Sequence, residues 1–267
     1  IMALAGASLP AADAAVTPAA LEKKSAAFVD GVVDAAKDGL AAFDQAIAQR
    51  YAVNTLKGGN ILVYGSQFKT EQGGSVDLMA PKGSVIAGLS SIPFYLQSKA
   101  ASENGIFTVR GGEIRVLVGQ DFIVNQGRVF TLGGGDITIR GKTTAGVVEH
   151  WIAGVAIKYQ SWINSGAGEI IIDGDSSAYT SYAYGSGVQL GYGAYNSTIG
   201  QGVRLTSAGG SASAPAIYIK GRGSANENGI DTYYTNTVDD VVIESVGEGQ
   251  ITLEGDSTHV FNDYWYG

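Results

Sequence analysis

Gly133-Gly134-Gly135-Asp136-Ile137-Thr138-Ile139 is the stretch on which the fold turns: glycines, one polar residue, then apolar residues at alternate positions. Glycine rounds a corner at positive φ without steric penalty. The alternation behind it describes a short strand with one buried face. The phrase also stands at Gly58-Gly59-Asn60-Ile61-Leu62-Val63, Gly73-Gly74-Ser75-Val76-Asp77-Leu78 and Gly111-Gly112-Glu113-Ile114-Arg115-Val116. Looser copies are Gly166-Ala167-Gly168-Glu169-Ile170-Ile171-Ile172 and Gly247-Glu248-Gly249-Gln250-Ile251-Thr252-Leu253. A corner-plus-strand unit that keeps returning, without long helices between copies, predicts a coiled β architecture.

Outward from these phrases, strands are predicted around Leu62, Val76, Val85, Phe107, Ile114, Ile123, Val129 and Ile137. Others centre near Val155, Ile171, Val188, Val203, Ile217, Val242 and Ile251. Most neighbours lie roughly 8 to 15 residues apart, too close for βαβ crossovers. A parallel β-helix and an antiparallel sandwich or barrel both remain. Asn104-Gly105 and Asn228-Gly229 are hairpin-like. Most corners are instead Gly-Gly or Gly-x-Gly ahead of a strand, which favours the helix. At about 20 residues per turn the body would hold roughly ten turns and measure on the order of 50 Å.

Residues 1–52 read differently. They are alanine-rich, and Thr17-Pro18 makes a helix start, threonine as cap and proline in the first turn. Leu21, Phe28, Val32, Leu40, Phe43 and Ile47 fall roughly on one helical face, with Asp30, Asp34, Lys37 and Asp38 elsewhere. Gly31 and Gly39 weaken it by about 1 kcal/mol each. The expectation is an α-helical segment over 1–52, packed over the end or flank of a β body.

The 267 residues carry 39 glycines, 5 prolines, no cysteine and a net charge of −8. No Gly-X-Y period exists, so collagen is excluded. Without cysteine, neither disulfides nor thiolate metal sites contribute. The acidic balance argues against nucleic acid and anionic membrane surfaces as partners. No apolar run reaches the roughly 18 residues of a membrane span. The first residue is Ile1, with no charged region ahead of the apolar start, which reads as an internal piece of a longer chain.

The stretch Gly119-Gln120-Asp121-Phe122-Ile123-Val124-Asn125-Gln126-Gly127-Arg128-Val129-Phe130-Thr131-Leu132-Gly133, running on into the opening phrase, resembles bacterial filamentous haemagglutinin-type exoproteins of two-partner secretion. The similar region begins at Gly58-Gly59-Asn60-Ile61-Leu62-Val63-Tyr64-Gly65-Ser66-Gln67-Phe68 and continues through Asp77-Leu78-Met79-Ala80-Pro81-Lys82-Gly83-Ser84-Val85. It covers about residues 56–142, and the alanine-rich stretch before it looks like a helical insertion of that family. The resemblance implies a right-handed parallel β-helix on the outside of a Gram-negative cell, secreted or surface-held, serving as an adhesin shaft. Its partners would be glycans or proteins of host or neighbouring cells. The family's Asn-Pro-Asn-Gly secretion motif is not found, so an outer-membrane transporter would be engaged through a domain lying outside this sequence. The expected organisation is 1–52 helical, 53–143 family-like turns and 144–267 a degenerate β-helix continuation.

Chemistry is sparse by comparison. Gly191-Tyr192-Gly193, Gly200-Gln201-Gly202 and Gly221-Arg222-Gly223 lack the third glycine and following helix of a phosphate cradle. Gly133-Gly134-Gly135-Asp136 has no tandem copy nine residues on, as a calcium β-roll requires. The close acidic pairs of the β body are Asp173 with Asp175 and Asp239 with Asp240; a polysaccharide lyase or hydrolase would need such carboxylates clustered on one face. A carbohydrate-active β-helix enzyme or tailspike-like glycan binder is therefore the alternative to an adhesin. His150 and His259 are the only histidines. No catalytic residue, metal or cofactor is expected. Tyr179, Tyr182, Tyr184, Tyr192 and Tyr195 crowd one Gly/Ser-rich stretch, and aromatic rings with polar tips suit sugars or protein surfaces. They are the candidate ligand-binding residues; packing in a groove or core is the competing role.

Overall fold

The computed structural model describes residues 2–4, 58–88, 101–143, 151–179, 184–191, 202–224, 227–232 and 241–257. Strand β1 (Met2–Leu4) comes first, and six turns of three strands follow. Turn one is β2 (Ile61–Tyr64), β3 (Gln67–Thr70) and β4 (Val76–Ala80); turn two is β5 (Val85–Gly88), β6 (Gly105–Thr108) and β7 (Ile114–Val118). Turn three is β8 (Phe122–Asn125), β9 (Arg128–Thr131) and β10 (Ile137–Lys142); turn four is β11 (Trp151–Lys158), β12 (Trp162–Asn164) and β13 (Ile170–Asp175). Turn five is β14 (Tyr184–Leu190), β15 (Val203–Ser207) and β16 (Pro215–Gly223); turn six is β17 (Ile230–Thr232), β18 (Val241–Ser245) and β19 (Gln250–Ser257).

Each turn gives one strand to each of three sheets. Sheet A runs β1-β4-β7-β10-β13-β16-β19, sheet B β2-β5-β8-β11-β14-β17, and sheet C β3-β6-β9-β12-β15-β18. Every pairing between strands is parallel. This is the stacking of a parallel β-helix, and it removes the sandwich and barrel alternatives, which need antiparallel neighbours.

The core follows from the alternation. Inward positions form columns of like side chains one turn apart. In sheet A, Ile114, Ile137, Ile170 and Ile217 form one column, and Val116, Ile139, Ile172 and Ile219 the next, all fully buried. Phe122, Val155 and Val188 do the same in sheet B. Burying each such side chain contributes roughly 1.5–3 kcal/mol, so stability accumulates turn by turn. Among the described residues one apolar cluster extends from Ile61 to Ile219.

The recurring glycine phrase is the corner from sheet C into sheet A, except at Gly58-Gly59, which precedes β2 of sheet B. Gly73-Gly74, Gly111-Gly112 and Gly134-Gly135 sit between β3 and β4, β6 and β7, β9 and β10. Gly74 and Gly112 hold φ of +90° and +96°, and a Cβ on Gly112 would lie 2.3 Å from the Gly74 carbonyl oxygen. Thr70, Thr108 and Thr131, stacked in one column, close these corners by donating Oγ1–H to the carbonyls of Gly74, Gly112 and Gly135 at 2.8, 2.9 and 2.6 Å. Ser245 does so to Gly249 at 2.7 Å. The polar residue of the phrase links turns: the Glu113 N–H donates to Ser75 Oγ, and the Glu169 N–H to Asp136 Oδ1.

Two expectations change. The body has six described turns rather than ten, because stacked sheet A residues Val76, Ile114, Ile137, Ile170, Ile217 and Ile251 are separated by 38, 23, 33, 47 and 34 residues. At the usual parallel spacing the six turns span about 24 Å. Within 1–52, the described residues Met2–Leu4 are a strand on the β4 edge, Met2 opposite Asp77 and Leu4 opposite Met79. An unpaired sheet edge satisfies backbone groups that a terminal helical turn would leave open. The helical expectation from Thr17 onward lies outside the described residues.

Candidate functional site

Beyond the core, the ends of four sheet A strands share one pattern: Ile137-Thr138-Ile139-Arg140-Gly141-Lys142, Ile170-Ile171-Ile172-Asp173-Gly174-Asp175, Ile217-Tyr218-Ile219-Lys220-Gly221-Arg222 and Ile251-Thr252-Leu253-Glu254-Gly255-Asp256. They are aligned residue for residue in the ladder. Two columns of charge result, Arg140/Asp173/Lys220/Glu254 and Lys142/Asp175/Arg222/Asp256, each alternating in sign at every turn.

The geometry matches the arithmetic. Arg140 Nη1 donates to Asp173 Oδ2 at 2.9 Å, and Arg222 Nη1 to Asp175 Oδ2 at 3.0 Å. Arg222 Nη2 also lies 3.7 Å from Asp173 Oδ1, and Lys220 Nζ lies 3.2 Å from Glu254 Oε2. The Arg140 and Asp173 side chains are 8% and 5% exposed, so this pair is held out of water. Burial pushes the Asp173 carboxyl up from its ordinary range, and Arg140, Arg222 and Lys220 pull it back. Tyr218 is pushed up to about 12, first by burial and then by Glu254, to which its hydroxyl donates; that bond and Lys220 hold Glu254 low. Asp175 is fixed further by the Ser177 N–H and hydroxyl, at 2.9 and 2.5 Å. A simpler pair, Arg115 Nε on Asp77 Oδ1 at 2.5 Å, joins the two lower turns.

At Gly141, Gly174 and Gly221 the glycine between the charged pair marks where sheet A meets the next strand of sheet B. A Cβ on Gly174 would lie 2.1 Å from the Gly187 carbonyl oxygen, and one on Gly221 1.9 Å from that of Gly229. Backbones touch there, so the charged side chains on either side are fixed by a corner that admits no side chain of its own.

Asp173 and Asp175, which composition singled out as an acidic pair, are therefore engaged with arginines of the turns below and above. Gly221-Arg222-Gly223 is the end of β16, a strand and not a phosphate loop. Among the described residues no group of three or more His, Cys, Asp or Glu stands close enough to hold a metal, and no helix is long and apolar enough to cross a membrane. Asp239, Asp240, His150 and His259 lie outside the described residues. Tyr179 is 3% exposed, donates its N–H to the Ser176 carbonyl and packs beside Gly185. Tyr184 opens β14, with its backbone opposite Trp151. The Tyr184 side chain, Tyr182, Tyr192 and Tyr195 lie outside the described residues.

Sequence reading missed Arg140, Lys142, Lys220, Arg222, Glu254 and Asp256. The signal was present as basic-Gly-basic alternating with acidic-Gly-acidic, but at intervals of 33, 47 and 34 residues and with the sign reversed at each copy. No family model matches the chain, and no curated protein and no solved structure matches it either.

Proposed function

We propose that this chain is a shaft segment of a secreted or surface-exposed Gram-negative adhesin of the filamentous haemagglutinin type, a right-handed parallel β-helix that works by binding and not by turnover. The observation that carries the reading is the parallel stacking of six described turns, with ion pairs such as Arg140–Asp173 and Arg222–Asp175 running from one turn to the next. That arrangement stiffens a rod. The resemblance over residues 56–142 supplies the family, and right-handedness accords with the general hand of parallel crossovers. The secretion route, the surface location and glycans or proteins of host or neighbouring cells as partners rest on the same resemblance. Of the five candidate tyrosines, Tyr182, Tyr184, Tyr192 and Tyr195 are the proposed contact residues; Tyr179 is 3% exposed.

Beads coated with the purified chain test this against epithelial and bacterial cells, beside a panel of polysaccharides assayed for new reducing ends. Saturable adhesion that weakens when Tyr182, Tyr184 and Tyr192 become serine, without polysaccharide cleavage, is the expected result. Cleavage of any polysaccharide, or adhesion no greater than that of an unrelated β-helix, would overturn it.

A further inference from the structure

The outer face of sheet C carries a different kind of column. Val129, Ile163 and Leu205 are 0% exposed and point into the core. Arg128, Trp162 and Arg204, each one residue earlier, therefore point outward, stacked in register across turns three, four and five. Phe107 and Phe130 stand two positions on from that column, one turn apart, on the same face. The rings meet edge to face: Phe107 and Phe130 at 5.9 Å and 83°, Phe130 and Trp162 at 5.1 Å and 81°. Arg204 Cζ lies 5.4 Å from the Trp162 ring centroid, and Trp162 Nε1–H donates to Thr206 Oγ1 at 3.2 Å, which fixes the indole. Phe107 is 7% exposed, Phe130 and Trp162 are half-buried and Arg204 is exposed, so the row opens toward the later turns.

The cations of this face differ in how they are balanced. Lys69 Nζ lies 2.8 Å from Glu71 Oε1, and Arg204 Nη2 2.7 Å from Glu244 Oε2. Arg128 has no carboxylate partner among the described residues. Its Nη1 donates to the carbonyls of Gly127 and Gln160 at 3.1 and 2.6 Å, while Nε and Nη2 make no hydrogen bond among those residues. The Gln160 carbonyl is set by a corner in which Tyr159 and Gln160 hold φ of +45° and +56°, a region that side chains rarely occupy. Burial pulls the Arg128 guanidinium down from its ordinary value, and an anion beside it would offset that cost. A half-buried cation without a counter-ion stands out in a chain of 25 acidic against 17 basic residues.

We propose that Arg128, Trp162 and Phe130 form a binding site for a carboxylated glycan, its carboxylate held by Arg128 and its sugar ring laid against the aromatic row. The proposal deepens the adhesin reading, on which it rests for where such a glycan is met. Arginine offers a carboxylate a planar fork of donors, and the Nε and Nη2 side of that fork is the one still open. Aromatic rings supply the flat apolar contact that a pyranose needs. Arg204, engaged by Glu244, holds the indole and is not the anchor. An acidic peptide is the poorer occupant: β9, β12 and β15 are each paired on both sides, so they offer no main-chain edge to an added strand.

Fluorescently labelled hexagalacturonate, maltohexaose and hexaglutamate, titrated against the full chain by anisotropy, decide the matter. Hexagalacturonate is expected to bind saturably and at least about tenfold more tightly than either of the others, the margin over maltohexaose shrinking with salt. Trp162→Ala should weaken hexagalacturonate binding by at least about tenfold. Arg128→Gln, with its melting temperature unchanged, should bring the two sugars to equal affinity. Equal binding of the two sugars by the unaltered chain, no binding by a folded chain, hexaglutamate bound as tightly as hexagalacturonate, or an acid preference that survives Arg128→Gln would each overturn the proposal. Coated beads that adhere to cells while the chain ignores hexagalacturonate would remove this site and leave the adhesin reading standing. Hexagalacturonate binding lost in Arg128→Gln, by a chain whose beads do not adhere, would support the site and remove that reading.

Discussion

At the scale of single residues, the fold depends on where a side chain is forbidden. Gly221 and Gly255 occupy the same ladder column, yet a Cβ at Gly221 would lie 1.9 Å from a carbonyl oxygen and one at Gly255 3.7 Å from its nearest neighbour. Gly221→Ala should cost about 1–3 kcal/mol, through displaced backbone. Gly255→Ala should stay within about 0.5 kcal/mol. Urea unfolding of the two variants measures the difference; equal costs would mean that the corner is not a backbone-on-backbone contact. Asp231 gives a second handle. Burial raises its carboxyl above the ordinary range against hydrogen bonds from Asn228 and Ser186. The folded chain then holds that proton more tightly than the unfolded one, so its contribution to stability falls as pH rises from about 4 through the folded-state pKa, and is level above. Asp231→Asn removes the slope. Its melting temperature relative to wild type should improve between about pH 3 and pH 7; a constant difference would contradict the burial.

At the scale of elements, the glycine-then-alternation grammar located most strands because a strand with one buried face writes its period directly into the sequence. The centres near Leu62, Val76, Ile137, Val188 and Ile251 all fall inside strands. Those that escaped are short or nearly devoid of apolar residues. Gln67-Phe68-Lys69-Thr70 has one, and Trp162-Ile163-Asn164 and Ile230-Asp231-Thr232 are three residues each. Their pairing comes from the neighbouring turns, information that no local window contains. The charge ladder escaped for a different reason: its residues become a pattern only in register. Asp173-Gly174-Asp175 looked like a pair of carboxylates available for chemistry, and the arginines that occupy them are 33 and 47 positions away. Of the five candidate tyrosines, Tyr179 is buried, a placement that no local window of sequence shows. Removing one member of the sheltered pair should be costly: Asp173→Ala is expected to lose about 3–5 kcal/mol by leaving Arg140 charged and largely out of water. A loss under about 1 kcal/mol in urea unfolding would place this pair with ordinary surface ion pairs.

At the scale of the whole molecule, the claim is that residues far apart in sequence stack at one strand spacing per turn. Turn length varies because chain is added between strands, while register is kept by the inward columns and the corner glycines. The sequence lacks cysteine, so pairs of spin labels can be placed without background. In sheet C, Lys69, Phe107, Phe130, Asn164, Thr206 and Glu244 form one column. Labels on Lys69→Cys paired with Asn164→Cys, Thr206→Cys or Glu244→Cys are three, four and five turns apart. Pulsed electron–electron resonance should give separations rising by about 5 Å per turn, near 14, 19 and 24 Å. Separations that fail to rise in that order, or that do not change from pair to pair, would contradict the stacked three-sheet coil.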